Sequence, residues 1–247
     1  LDNRLGFDFT YYYNTTKNQA MLVDASSPWT QQWVNAGKIN NTGVEFMLYG
    51  TPVKTRDFQF DITANLAHNR STVKELADGV SRVYFAGDSN MPVKVGAVKG
   101  GKLGDIFANN LMQRDAQGRV IIGDDGLPMA ATGDGNLEQY LLDHPIGNIQ
   151  PDLLMSITPT FTYKGISLTA MFDMKFGGDI VSVSEGMATS VGTSERTAYR
   201  GEYKTVNGVQ DWYMVVPGVK ADGSVNTTEV SAQKYYSTIG LYSSQKG

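Results

Sequence analysis

Five stretches of the chain alternate apolar and polar residues with a period of two, the spacing of β-strands that each carry one apolar face. From Leu5 to Tyr13, Leu5, Phe7, Phe9, Tyr11 and Tyr13 share one side, opposite Gly6, Asp8, Thr10 and Tyr12. From Val44 to Tyr49 the contrast is weaker, with Val44, Phe46 and Leu48 opposing Glu45, Met47 and Tyr49. It is sharpest from Phe58 to Ala67, where Phe58, Phe60, Ile62, Ala64 and Leu66 oppose Gln59, Asp61, Thr63, Asn65 and Ala67. From Leu153 to Tyr163, Met155, Ile157, Phe161 and Tyr163 share a face with Pro159, opposite Ser156, Thr158, Thr160 and Thr162. From Ile166 to Met174, Ile166, Leu168, Ala170, Phe172 and Met174 oppose Ser167, Thr169, Met171 and Asp173.

The links between these strands are unequal. Tyr163-Lys164-Gly165-Ile166 fits a two-residue hairpin, and Gly50 to Asp57, with Pro52, reads as a short polar turn. Long links run from Asn14 to Asn41 and from Asn69 to Pro151, and a long tail follows Phe176. If short and long links alternate, the short ones all lie at one end. Dyad alternation with short turns at one end and long loops at the other is the pattern of an outer-membrane β-barrel. A soluble β-sandwich would explain the alternation equally well, since it too has one apolar face. Link length favours the barrel, because long structureless connections are uncommon in compact soluble domains.

Composition narrows the class further. With 27 Gly, 13 Tyr and 10 Phe, the chain is rich in strand and turn formers, and all-β is the expected class. The net charge of -4, without a basic stripe, argues against a nucleic-acid partner. Without cysteine there is neither a disulfide nor a thiolate metal site. No run approaches the roughly 18 apolar residues of a membrane helix. The opening residues LDNRLGFDFT lack the pattern of a signal peptide, and we expect the chain to be a segment of a longer protein.

Candidate chemistry is sparse. Gly96-Ala97-Val98-Lys99-Gly100-Gly101-Lys102-Leu103 is one residue short of a phosphate-binding loop, whose final hydroxyl would hold Mg²⁺. Leu103 cannot do so, and Pro92 upstream and Gly104 downstream spoil the required strand and helix. His68 and His144 have no third ligand at a metal-like spacing. Asp124, Asp125, Asp134 and Glu138 fit no calcium loop and read as hydrated loop residues. No nucleophile elbow occurs, so neither a catalytic site, a metal site nor a cofactor is expected.

Several stretches resemble one family, the SusC/RagA TonB-dependent outer-membrane nutrient receptors. NRLGFDFTYYYNTTKNQ is similar to the family's strand leading into an external loop, and NAGKINNTGVEFMLYGTPVKTRDFQFDITANLAHNRSTV to its hairpin. VGAVKGGKLGDIF stands in place of its glycine-rich segment, although Ala97 and Lys99 depart from the usual residues. RDAQGRVIIGDDGLPM and IGNIQPDLLMSITPTFTYKGISLTAMFDMKFGGDI follow in the family's order. Physically, Gly37 and Gly43 bracket Asn40-Asn41 where a bend or bulge into the wall is expected, and Glu45 is expected to face the lumen.

The resemblance implies that residues 1–247 are part of an antiparallel transmembrane β-barrel with long extracellular loops. Such transporters need about 22 strands around a plugged lumen, so five cannot close. The family's plug, TonB-contacting segment and final strands are expected to be absent from this chain. The implied function is import of an oligosaccharide or peptide across a Gram-negative outer membrane. The implied partners are a SusD-like surface lipoprotein, TonB acting through the missing N-terminal region, and lipid around the barrel. A soluble β-rich glycan-binding module is the alternative, and it would bury the aromatic faces together. Flat rings suit sugar faces and peptide side chains, which makes Trp29, Trp33, Tyr84, Phe85, Trp212 and Tyr213 the candidate ligand-binding residues, with Tyr235 and Tyr236 among the remaining loop aromatics. Packing of the loops or a partner is the other reading of the same rings.

Overall fold

The computed structural model describes residues 4–24, 31–86 and 92–242. Strand β1 spans Leu5–Asp24, β2 Gln31–Lys54 and β3 Phe58–Glu75. Short strands β4 (Arg82–Ala86), β5 (Val93–Val98), β6 (Asp105–Ala108) and β7 (Gly147–Asn148) form a four-stranded sheet. Strands β8 (Leu153–Tyr163), β9 (Ile166–Thr169) and β10 (Phe172–Phe176) follow. The last strands are β11 (Glu202–Val206), β12 (Val209–Val215) and β13 (Glu229–Ser231). The α-helices are α1 (Leu137–Asp143), α2 (Val183–Ser190) and α3 (Ala232–Tyr242). Among the described residues no helix is long and apolar enough to cross a membrane. The residues divide into two compact units: Leu1–Tyr84, Gly96–Asp105 and Asn148–Asp179 in the first, and Phe85–Val95, Ile106–Gly147 and Ile180–Gly247 in the second.

The first unit is built on an antiparallel sheet in the order β1-β2-β3-β8-β10, with β9 also paired to β8. Register aligns the alternating segments so that their apolar sides coincide. Phe9 faces Phe46, Phe46 faces Leu66, Leu66 faces Met155 and Met155 faces Met174. One rung along, Phe7, Leu48, Ala64, Ile157 and Phe172 form a second row. Phe60 stacks on Phe161 with ring centroids 4.7 Å apart, and Phe7 lies over Phe46 at 6.3 Å. Among the described residues nothing covers this side: Phe7 is 70% exposed and Ile166 78%.

The other side is polar and internally bonded. Thr51 Oγ1 donates to Asp61 at 2.6 Å, Asn65 Nδ2 to Ser156 Oγ at 3.1 Å, and Ser71 Oγ to Asn41 at 2.6 Å. Glu45 falls on this side, in the row of Thr10 and Ala67. The Tyr12 and Tyr49 rings lie over Gly43 and Gly6, each in the space that a Cβ would fill, so both glycines serve close approach of a ring to the strand. Gly37 differs in having a φ of 93°, and the register shift at Lys38/Ile39, where Lys74 is the extra residue on β3, supplies a bulge near it.

Three sequence expectations change. Asn14 to Asn41 is a continuation of the β1–β2 hairpin rather than a loop, with pairing kept out to Asp24 and Gln31. Strand β2 likewise runs to Lys54, absorbing Thr51 and Pro52 in an irregularity between Gly50 and Val53, so the turn shrinks to Thr55–Asp57. The expected single strand from Ile166 to Met174 is split into β9 and β10. Pro159 explains the split: it accepts from Ala170 N at 3.1 Å but has no N–H to return the bond.

The Lys164-Gly165 hairpin is as expected. Both residues have positive φ, 47° and 84°, as a type I′ turn requires. Lys164 N donates to Asp57 O at 2.9 Å, so the two tight turns lie together at one end of the sheet.

The second unit contains buried apolar clusters. Ile122, Leu127, Val216 and Val230 form one cluster, and Met214, Ala232, Tyr236 and Ile239 another. Helix α3 supplies Ala232, Tyr236 and Ile239 at helical spacing. It packs on α2 where Gly240 comes so near Ser190 that a Cβ there would stand 2.8 Å from Gly186 O.

Candidate functional site

Of the six candidate aromatics, Trp29 lies outside the described residues. Trp33 sits on β2 opposite Leu22 and is 72% exposed. Tyr84 is half-buried: the Arg82 guanidinium stands 5.6 Å from its ring centre, and burial raises the phenol's pKa. Phe85, the next residue, is exposed and belongs to the other unit. Trp212 and Tyr213 are neighbours on β12 and therefore point to opposite sides of it. Trp212 and Tyr213 therefore do not share one face of the strand.

Trp212 lines a pocket of about 290 Å³ in the second unit. Its walls come from the end of α2 and the following turn (Ser190, Val191, Gly192), from Arg200, from Asp211 and Trp212 on β12, and from Ala232, Gln233 and Tyr236 on α3. The β11–β12 hairpin that holds Trp212 turns at Asn207-Gly208, both with positive φ, a dipeptide suited to a type I′ turn. Across the hairpin Tyr203 pairs with Trp212, ring centroids 5.4 Å apart, and both rings keep an exposed face.

The polar groups of this pocket are held from behind. Asp211 accepts from Ser231 Oγ at 2.7 Å and from Trp212 N at 2.7 Å, which keeps its carboxyl below the usual carboxylate range. Arg200 is aimed by two backbone carbonyls: Nε donates to Thr197 O at 3.2 Å and Nη2 to Gly192 O at 3.1 Å. The Tyr236 hydroxyl donates to Tyr199 O, and burial raises its pKa. The result is a slot with one indole face, a fixed anion and a fixed cation. It suits a ligand that offers both apolar faces and hydrogen-bonding groups.

Sequence reasoning named Trp212 and Tyr236 but missed Arg200, Asp211 and Gln233. Ser182-Val183-Ser184-Glu185 is the signal that could have placed α2 beside them, since Ser182 Oγ caps the helix by accepting from Glu185 N at 3.1 Å.

The glycine-rich stretch has a structural job in the first unit. Gly100 N donates to Val73 O at 2.8 Å, Val73 N to Gly101 O at 3.0 Å, and Leu103 N to Ser71 O at 3.1 Å, so it adds itself to the edge of β3. Buried Asp105 accepts from Lys102 N and from Asn148 Nδ2, both at 2.9 Å. Asn148 also donates through its backbone N–H to Asp179 Oδ2 at 2.9 Å and from Nδ2 to Leu103 O at 3.1 Å. These bonds tie three distant stretches of the chain together. The segment lies between strands, without the helix that a phosphate loop must lead into.

Comparison with known proteins agrees with this architecture. Residues 1–110 match the family described as TonB dependent receptor-like, beta-barrel. The TonB-dependent receptor SusC of Bacteroides thetaiotaomicron is 28% identical over 181 residues, covering 68% of this chain and 17% of the relative. The TonB-dependent receptor P3 of Formosa agariphila is 25% identical over 196 residues, covering 73% and 19% respectively. A chain of the RagAB peptide transporter superposes with a TM-score of 0.54 at 23% identity, covering 77% of this chain and 21% of that one. The chain thus spans less than a quarter of the length of each of these relatives.

Proposed function

From a chain whose residues 1–110 match the TonB-dependent receptor β-barrel family, we propose that the whole protein imports a large nutrient, an oligosaccharide or a peptide, across the outer membrane. TonB-dependent receptors are outer-membrane proteins of Gram-negative bacteria, and the sheet of the first unit is wall for such a bilayer. The observation that carries the reading is the sheet's two-sidedness. Its apolar side is continuous and uncovered over five strands, while its polar side satisfies its own hydrogen bonds. A soluble glycan-binding module would have buried Phe7, Phe9, Leu168 and Phe172, which instead are more than half exposed.

Dimensions support the same reading. From Phe58 to His68 the apolar side of β3 runs about 33 Å at about 3.3 Å per residue. Tilted about 40°, that is about 25 Å of height, the thickness of a barrel's apolar band. Tyr163 and Phe58 mark the end with the tight turns, and Tyr11 and Tyr13 the other.

In this reading the chain, residues 1–247, supplies part of the wall and an extracellular unit. A plug and TonB-contacting segment belong to the rest of the protein, and a SusD-like surface lipoprotein covers the mouth. The Trp212 slot holds ligand before it is released inward. The work is binding and gated release without covalent chemistry.

The test is made on the purified whole receptor, titrated with panels of oligosaccharides and of peptides while indole fluorescence is followed. One panel is expected to bind, to come back unprocessed, and to bind about tenfold or more weakly to Trp212→Ala, as loss of a ring contact of about 1–3 kcal/mol implies. Processing of the ligand by the pure protein would count against import as its function.

A further inference from the structure

We propose that the lipid-facing side of the wall, just above its apolar band, binds the phosphate of an anionic outer-leaflet lipid through Arg70 and Lys102. Every second residue of a strand shares a side, so His68 and Arg70 continue the face of Phe60, Ile62 and Leu66. Lys102 forms an antiparallel bridge opposite Thr72 and so joins that face. Climbing from the Phe9–Phe46–Leu66 row, the rows become Tyr11–Val44–His68, then Tyr13–Thr42–Arg70, then Thr15–Asn40–Thr72 with Lys102. Hydrocarbon contact thus gives way to hydroxyls and then to cations within about 20 Å of strand. That is the polarity profile of a lipid from acyl chain to headgroup.

The site has shape as well as charge. A pocket of about 330 Å³ opens in the wall between the start of β8 and the glycine-rich turn, with His68, Asn69, Arg70, Lys102, Gln150 and Asp152 among its walls. Beside it on the same face, across β3, Asn40 Nδ2 donates to the Tyr13 hydroxyl at 2.6 Å and Thr15 Oγ1 donates to Asn40 Oδ1 at 3.0 Å. None of the ion pairs among the described residues uses Arg70 or Lys102. Two carboxylates share the pocket: Asp179 accepts from Asn148 N, and Asp152 lies against Gly177. The occupant is a lipid rather than a free anion because the cations stand directly above the uncovered apolar rows, where acyl chains already lie. It is an outer-leaflet lipid because the tight turns mark the opposite, periplasmic end.

The experiment uses the whole receptor in detergent and native mass spectrometry, with two probes: phosphorylated lipid A, and the same lipid after enzymatic dephosphorylation. The native protein is expected to retain the phosphorylated form about tenfold or more tightly. Each of Arg70→Gln and Lys102→Gln should cost about fivefold, and the pair about 25-fold, while dephosphorylated lipid binds native and variant proteins alike. Equal retention of the two lipids by the native protein, which requires no variant to fold, overturns the proposal. So does a folded double variant that keeps native affinity, foldedness being checked by heat-modifiable gel migration. Displacement of the lipid by millimolar inorganic phosphate would make this a free-anion site and would equally sink the lipid assignment.

Discussion

The two units solve opposite problems with similar strands. In the first unit the sheet leaves Phe7, Phe9, Leu168 and Phe172 uncovered and pairs its polar groups on the other side. In the second, one side of β12 closes on a core: Met214 is 6% exposed, and Val216 just beyond it 2%. A period of two specifies only that a strand has two unlike sides. The surrounding medium decides which side is covered, and lipid reverses what water requires.

The strongest way to break that comparison is to place a charge on each side of the wall. Leu48→Arg lies in the middle row of the apolar side, where an arginine costs about 2–4 kcal/mol near the bilayer midplane. Thr63→Arg lies on the opposite side, paired with Tyr49, where water reaches it, and should cost little. The measurement is the urea midpoint of the whole receptor in lipid vesicles, together with the fraction assembled in the outer membrane. Equal losses from the two substitutions would mean that the sheet has no lipid side.

A smaller effect tests the water-facing unit. Ile239 packs in the cluster with Met214, Ala232 and Tyr236, so Ile239→Val should cost about 0.5–1.5 kcal/mol locally. Hydrogen exchange in the whole receptor should speed up through α3 and β12 and stay unchanged in β3 and β8. Acceleration across both units would contradict their separate cores.

How much of this was legible depends on contrast between the two sides of a strand. Phe58 to Ala67 could be read directly, because apolar and polar residues never trade places before Ala67. The upper hairpin from Asn14 to Asn41 could not, since Asn14 to Gln19 are polar at every position and the alternation loses its contrast there. The break at Ala170-Met171 was hidden for a different reason: its cause, Pro159, sits on the partner strand, and a strand's own sequence says nothing of its neighbour's missing N–H. In the second unit Trp212 was visible as an aromatic, but its pocket partners Arg200 and Gln233 come from segments that only the fold brings near β12. The slot is a product of the two helices and the hairpin together.

The smallest expected effect concerns that hairpin. Hydrogen bonds from Ser231 Oγ and Trp212 N hold the Asp211 carboxyl below its unfolded value of about 3.9. A depressed carboxylate contributes stability that is fully present above about pH 4 and disappears as the pH falls through the lower folded value. Exchange of the β12 and β13 amides, corrected for the intrinsic pH dependence of exchange, should therefore accelerate between about pH 4 and pH 2, while the carboxyl takes up its proton. Ser231→Ala removes the larger of the two bonds, so it should raise exchange no more than a few-fold at pH 7 and flatten the acid limb, because Asp211 is largely solvated. The wall strands should show neither change, because the bonds removed belong to the second unit alone. An acid limb that survives Ser231→Ala unaltered would remove Asp211 as its source.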